Sequence, residues 1–272
     1  MGGNYLEVKT RDEIYTYAKE WILEAGQKIR DVIDEPLTID IKSNPNDLVT
    51  QMDRNTEEYF TKKIRSTFPT HNILAEEGFG DKLDTLDGTV WIIDPIDGTM
   101  NFVHQKRNFA ISVGIYQDGI GEIGFIYNVM EDILYHVKKD QGAYKDDVRL
   151  PQLDKEVTLE QSILLINSVW SGENKRINHE KVQELVRKVR GTRSYGSAAL
   201  EFAGVAEGIL DGYISMKLFP WDFAAGVILV NEVGGKTTQA DGSPLNFLTE
   251  NTVFAGNKQV TKEIIKNYIE LY

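Results

Sequence analysis

The chain has 272 residues, 41% hydrophobic and 26% charged, enough to bury a sizeable core and unlike a disordered or collagen-like polymer. Its net charge is −12 and it has no cysteine. An acidic chain offers no general field for nucleic acid or an anionic membrane, and disulfides, thiolate catalysis and Cys-bound zinc are excluded.

Residues 1–11 lack the apolar stretch of a signal peptide, and no run approaches the roughly 18 apolar residues of a membrane span, so a soluble cytoplasmic protein is expected. Ile14, Ala18, Trp21, Ile22, Ala25, Ile29, Val32 and Ile33 are at helical spacings, for a long amphipathic helix over Asp12 to Ile33. Thr38 to Ile41 reads as a short strand and Ser43-Asn44-Pro45-Asn46 as a polar turn. Asp47 to Asp53 alternates like a strand, with an acid at each end. Tyr59, Phe60, Ile64 and Phe68 predict a helix over Thr56 to Phe68, and Ile73 to Ala75 a strand running into Glu76 and Glu77.

Val90 to Ile93 is an apolar strand expected to end at Asp94, because Pro95 prevents regular continuation. Phe109 to Tyr116, Ile120 to Tyr127 and Ile133 to Val137 follow as strands, the first two joined by an Asp118-Gly119 hairpin turn. The polar stretch Lys138 to Leu153 is the candidate junction between an N-terminal α+β half, residues 1–145, and a C-terminal α/β half, residues 146–272. In the second half a strand at Ile163 to Ile166, helices at Asn178 to Val189 and Ser197 to Glu207, a strand at Leu210 to Ile214 and a helix at Asp222 to Val233 alternate. Trp21 and Trp170 are assigned to the core. His71, His104, His136 and His179 form no ligand spacing and are assigned to surface or turn positions.

The densest chemical signal is the segment Trp91 to Phe102. A buried strand delivers Asp94, and Asp97 returns three residues later, so both carboxylates can enter one pocket. Gly98 permits close backbone approach, while Thr99 and Asn101 suit a helix N-terminus whose free N–H groups bind phosphate oxygens. Two aspartates capping a turn are the structural alternative. Glu76, Glu77, Asp47, Asp53 and Asp222 stand at comparable edges, Asp222 with a helix cap as its alternative role. Together they suggest a carboxylate cluster whose hard oxygen donors select Mg²⁺ or Mn²⁺ and can hold two metals for phosphoryl displacement.

The order and spacing of Asp47 to Asp53, Ala75-Glu76-Glu77-Gly78, Trp91 to Phe102 and Trp221 to Gly235 resemble the inositol monophosphatase family, within the lithium-sensitive, magnesium-dependent phosphatases. The resemblance implies an α+β fold, a layered αβαβα sandwich of the sugar-phosphatase type. It implies a homodimer that hydrolyses small phosphate monoesters, with Mg²⁺ as cofactor, Mn²⁺ as a substitute and Li⁺ as an inhibitor. Glu76, Asp94 and the Ile96 carbonyl would hold a first metal, Asp94, Asp97 and Asp222 a second, and a third would sit near Glu76. Thr99 with Asp53, and Glu76 through its metals, would serve catalysis, and Gly98 and Thr99 N–H groups would bind phosphate. Gly196 and Ser197 match a substrate-touching segment, Lys42 matches a position near the metals, and Glu77 is a further candidate.

One position departs from the animal inositol enzymes, which carry a Glu seven residues before the Trp-Asp aspartate; here it is Ser215, followed by Lys217. A cation there favours a second phosphate or another anionic group. Inositol monophosphate is therefore weighed against the NADP(H) 2′-phosphate, fructose 1,6-bisphosphate and 3′-phosphoadenosine 5′-phosphate. A non-catalytic divalent-cation module and an RNA-associated scaffold are the readings from other classes. Neither nucleic acid nor a membrane is an expected partner.

Overall fold

The computed structural model describes residues 8–36, 38–41 and 48–272. Helix α1 (Val8–Val32) leads to a two-stranded antiparallel ribbon, β1 (Ile39–Ile41) and β2 (Leu48–Thr50), and then to α2 (Gln51–Thr67). A seven-stranded sheet follows: β3 (Asn72–Ala75), β4 (Thr89–Asp97), β5 (Ala110–Gln117), β6 (Ile120–Asn128), β7 (Ile133–Lys138), β8 (Gly142–Lys145) and β9 (Val148–Arg149), in that spatial order. A short helix, α3 (Thr99–Gln105), interrupts it after β4. β3 and β4 are parallel; the other pairs are antiparallel.

The second sheet is built from β10 (Ile163–Ile166), β11 (Gly191–Arg193), β12 (Gly212–Leu218), β13 (Lys236–Thr238) and β14 (Asn251–Gly256), in the order β11-β10-β12-β14-β13. Its helices are α4 (His179–Lys188), α5 (Ala198–Ala206), α6 (Pro220–Glu232) and α7 (Lys258–Tyr268).

Three apolar clusters fix the layering. The stripe of α1 and one face of α2 pack on the first sheet through Trp21, Ile22, Phe60, Trp91 and Phe125. Helices α5 and α6 lie between the two sheets, against Ile92 on one side and Leu165 and Tyr213 on the other. Covered on both sides, they are apolar nearly all round. The amphipathic α4 and α7 close the outer face of the second sheet. The result is the αβαβα sandwich. At Gly114 on β5 an added Cβ would stand 2.9 Å from Ala224 Cβ, so the missing side chain lets α6 lie directly on the sheet.

The structure departs from the sequence reading in several places. Pro95 does not end β4. The strand runs to Asp97 across a register irregularity, with Asp94 opposite Ser112 and Asp97 opposite Ala110. In a regular strand residues three apart face opposite ways. The extra residue at the bulge brings both aspartates opposite same-face partners two residues apart on β5, and it accommodates a proline that lacks an N–H. Helix α2 begins at Gln51, so the strand-like alternation extends only to Thr50. The polar stretch Lys138 to Leu153 holds β8 and β9 of the first sheet, and the expected division after Lys145 falls within that hairpin. His136 is not a surface or turn residue: it is buried on β7 and stacks on Tyr144 at 5.3 Å, whereas His71 lies in the turn after α2 and stacks on Phe68 at 4.7 Å. Trp170 is only half-buried and borders a cavity.

Candidate active site

The β4 bulge supplies Asp94 and Asp97, and the first turn of α6 supplies Asp222. One carboxylate oxygen of each lies within 4.8 Å of the other two. Asp97 accepts hydrogen bonds from the Ala199 N–H at 2.8 Å, the Ala198 N–H at 3.2 Å and the Ser197 hydroxyl, so it closes the N-terminus of α5. Asp222 is the third residue of α6, and its carboxylate accepts from the N–H of the N-cap residue Phe219 at 2.7 Å, so Asp222 is not itself the cap. Asp94 accepts from the Ile96 N–H at 3.0 Å. Asp94 and Asp222 are thus held by their own backbone turns and Asp97 by the N-terminus of α5, all three keeping lone pairs for the pocket.

Burial, then the neighbouring carboxylates, push Asp94 and Asp222 well above the usual carboxylate range. Burial pushes Asp97 up to about 7, against the hydrogen bonds from Ser197, Ala199 and Ala198. Glu76 is among the charges acting on both Asp94 and Asp222. Among the described residues, no Lys or Arg is among the principal groups acting on the three aspartates. Carboxylates clustered in low dielectric, each raising the pKa of its neighbours, are poised for a cation. The donors are oxygen throughout, which fits a hard divalent ion such as Mg²⁺.

Thr99 opens α3 beside this cluster. Its Oγ1 stands 3.2 Å from Asp53 Oδ1 and 3.1 Å from the Ile96 carbonyl oxygen. The hydroxyl has one proton to donate to either acceptor, and its lone pairs stay available to a water. Asp53 is fully buried on α2, and its other oxygen accepts from the Thr50 N–H at 2.9 Å and the Thr50 hydroxyl. Burial raises its pKa and the Thr50 bonds oppose that. Gly98 has φ +93°, and a Cβ there would stand 3.2 Å from the Gly196 carbonyl oxygen and from Ser197 Cβ. Only glycine combines that backbone with that approach.

Glu76 and Glu77 follow β3. Their loop is held by Glu57 of α2, which accepts from the Glu77 and Phe79 N–H groups. Gly196, Ser197, Ser215, Lys217 and Asp222 border one cavity of about 320 Å³ that reaches Asp97. Ser215 and Lys217 lie in an irregular stretch of the β12–β14 pairing, and the Lys217 Nζ is 3.9 Å from Glu250. Lys42 and Asp47, with the Ser43-to-Asn46 turn, lie outside the described residues.

Three supports escaped the sequence reading. Thr50 is legible in retrospect as Thr-x-x-Asp, a capping-box spacing. Glu57 and Glu201 carry no local signal. Glu201 accepts from the Tyr195 and Gly196 N–H groups and so shapes the segment before Ser197.

The profile of the inositol monophosphatase family matches residues 10–270. The inositol-1-monophosphatase of Bacillus subtilis (strain 168) is 55% identical over 257 residues, 94% of this chain and 97% of that protein. The inositol monophosphate-bound structure of SaIMPase-II superposes with a TM-score of 0.85 at 41% identity, covering 94% of this chain and 93% of that one. An IMPase/NADP phosphatase complexed with Mg²⁺ and phosphate superposes with a TM-score of 0.87 at 26% identity, covering 94% and 95%.

Proposed function

The chain belongs to the inositol monophosphatase family, and from that premise we propose that it is a Mg²⁺-dependent phosphomonoesterase for small phosphate monoesters, inositol monophosphate foremost. The observation that carries this reading is the oxygen cluster of Asp94, Asp97 and Asp222, within 4.8 Å of one another, beside the Thr99–Asp53 pair. Glu76, Asp94 and the Ile96 carbonyl would hold one ion, and Asp94, Asp97 and Asp222 a second. A third, weaker ion would sit near Glu76, with Mn²⁺ as a substitute and Li⁺ as an inhibitor. When bound, the ions neutralise phosphate charge and make water more acidic.

The chain's own groups do the rest. Thr99, donating to Asp53, accepts from the attacking water and fixes its direction, and Asp53 balances the charge that develops as the proton leaves. Gly98 and Thr99 N–H groups hold phosphate oxygens. Gly196, Ser197, Ser215 and Lys217 border the leaving group, Glu77 flanks the metal side, and residues 1–145 supply most ligands while residues 146–272 supply Asp222. A homodimer in the cytoplasm belongs to the same proposal; among the described residues no helix is long and apolar enough to cross a membrane.

A second reading is favoured by Ser215: without a carboxylate at that point the cavity repels an anionic or bulky leaving group less, so NADP(H) and sugar bisphosphates are also admitted. The test is phosphate release from inositol 1-phosphate, NADP(H), fructose 1,6-bisphosphate and 3′-phosphoadenosine 5′-phosphate, with Mg²⁺ and with chelator. We expect the highest kcat/KM on inositol 1-phosphate and no release in chelator. Absence of release from every substrate would reject the proposal.

A further inference from the structure

The chain carries a net charge of −12, yet four of its lysines gather on one trough of about 490 Å³ between α7 and β13. The trough shares no residue with the cavity at Asp97. On α7, Lys258, Lys262 and Lys266 recur every four residues, with Ile265 on the same face. On β13, Lys236 and Thr238 stand two apart and so point to one side of the strand. The turn at Gly242 borders the trough beside Ile265, where an added Cβ would stand 3.7 Å from Cγ2.

Like charges one helical turn apart repel. Among the described residues none of the four lysines forms an ion pair or a hydrogen bond through its ammonium group. Nearby acids are engaged elsewhere: Glu263, the only acid of α7, acts on Lys188 of α4, and Asp241 accepts from the Ser243 N–H at 2.8 Å. Two buried hydroxyls border the same trough. Thr238 is 4% exposed and Thr261 3%, and neither hydroxyl has a hydrogen-bond partner among the described residues. A helical threonine can bond the carbonyl one turn back, which Thr261 does not do. A rotation about χ1 is enough to turn that hydroxyl toward a ligand, and an acceptor there would recover the cost of burying it unpaired.

The trough is not a phosphate cradle. The first free N–H groups of α7, those of Gln259 and Val260, are taken by the Asn257 side chain at 2.9 and 3.4 Å. Its walls are Ile265 and the apolar stems of the lysines, with the charges at their tips. Its volume falls in the range of roughly 300–1,000 Å³ typical of sites for small organic ligands.

We propose that this trough is a second ligand site, separate from the catalytic cavity, that binds an alkyl carboxylate. The chain of the ligand lies on Ile265 and the lysine stems. Its carboxylate accepts from the ammonium groups of α7 and from the Thr261 hydroxyl.

The experiment is calorimetric titration of the protein with decanoate below its micelle concentration. Decanol carries the chain without the charge, and butyrate the charge with little chain. Wild type should bind one decanoate per chain, with decanol and butyrate each at least about 10-fold weaker. Lys262→Gln combined with Lys266→Gln should weaken decanoate about 10-fold or more, and Thr261→Val about 10-fold. Thr261→Val deletes an unpaired hydroxyl and should not lower the unfolding temperature without ligand. Absence of saturable decanoate binding in wild type overturns the proposal. So does decanol or butyrate binding as tightly as decanoate, a comparison that needs no variant to fold. Decanoate affinity unchanged in either folded variant places the anion elsewhere and overturns it as well.

Discussion

Asp97 at the end of the first sheet's β4 accepts the hydroxyl proton of Ser197, one hundred residues later, which is also the N-cap of α5. The Ser197 Oγ in turn accepts from the Leu200 N–H at 3.3 Å. One serine therefore caps a helix of the inner layer and fixes a carboxylate of the candidate metal cluster. Ser197→Ala should cost about 1 kcal/mol of stability from the lost cap, read by denaturant unfolding in chelator. It should also raise the Mg²⁺ concentration needed for half-maximal activity about 10-fold, the usual scale for losing an outer partner of a metal ligand. Lost stability with an unmoved Mg²⁺ requirement would assign Ser197 to the helix alone.

The Thr99–Asp53 pair makes a different demand. If the pair directs water, Thr99→Ala and Asp53→Asn each lower kcat by about 10²–10⁴-fold while Mg²⁺ binding, measured by calorimetry, shifts far less. Thr99→Ser keeps the hydroxyl and should retain most of the rate. A variant that binds Mg²⁺ poorly but turns over normally once saturated would place Asp53 among the ligands instead.

His71 offers a test of the fold by pH. Burial depresses its pKa, and its Nδ1 accepts from the Trp91 Nε1–H at 3.0 Å, a bond the protonated ring cannot accept at that nitrogen. In the unfolded chain His titrates near its ordinary 6.5. Below that pH the unfolded state binds more protons than the native state, so this stabilising contribution is complete above pH 6.5 and is lost as pH falls. His71→Gln removes the titration. The stability of wild type relative to His71→Gln should therefore decline from pH 7.5 to 5.5. A difference that stays flat across that range would show that His71 does not titrate differently on folding.

Much of this was legible in the sequence where period and chemistry coincide. The α1 stripe from Ile14 to Ile29 and the Asp118-Gly119 hairpin follow local rules, and both residues of that turn have positive φ, 49° and 78°. Asp94 and Asp97 stood out by their spacing, but the bulge that turns them together is set by the pairing of β4 with β5. Pro95 by itself reads as a strand end. Trp170 reads as core from composition alone, and only the parallel pairing of β10 with β12 brings its turn to the cavity. Glu57 and Glu201 act on backbone groups of distant loops, which no local pattern announces.

The central claim is that the Asp94 cluster binds the Mg²⁺ that phosphate release requires. The direct measurement is a Mg²⁺ titration of phosphate release from inositol 1-phosphate by wild type and Asp94→Asn, each confirmed folded by its circular dichroism. Wild type should be silent in chelator and saturate with Mg²⁺. Asp94→Asn should remain at least about 100-fold slower at the concentration that saturates wild type, since loss of a ligand exceeds the loss of its outer partner. Full activity in Asp94→Asn, or undiminished wild-type release in chelator, would contradict the account.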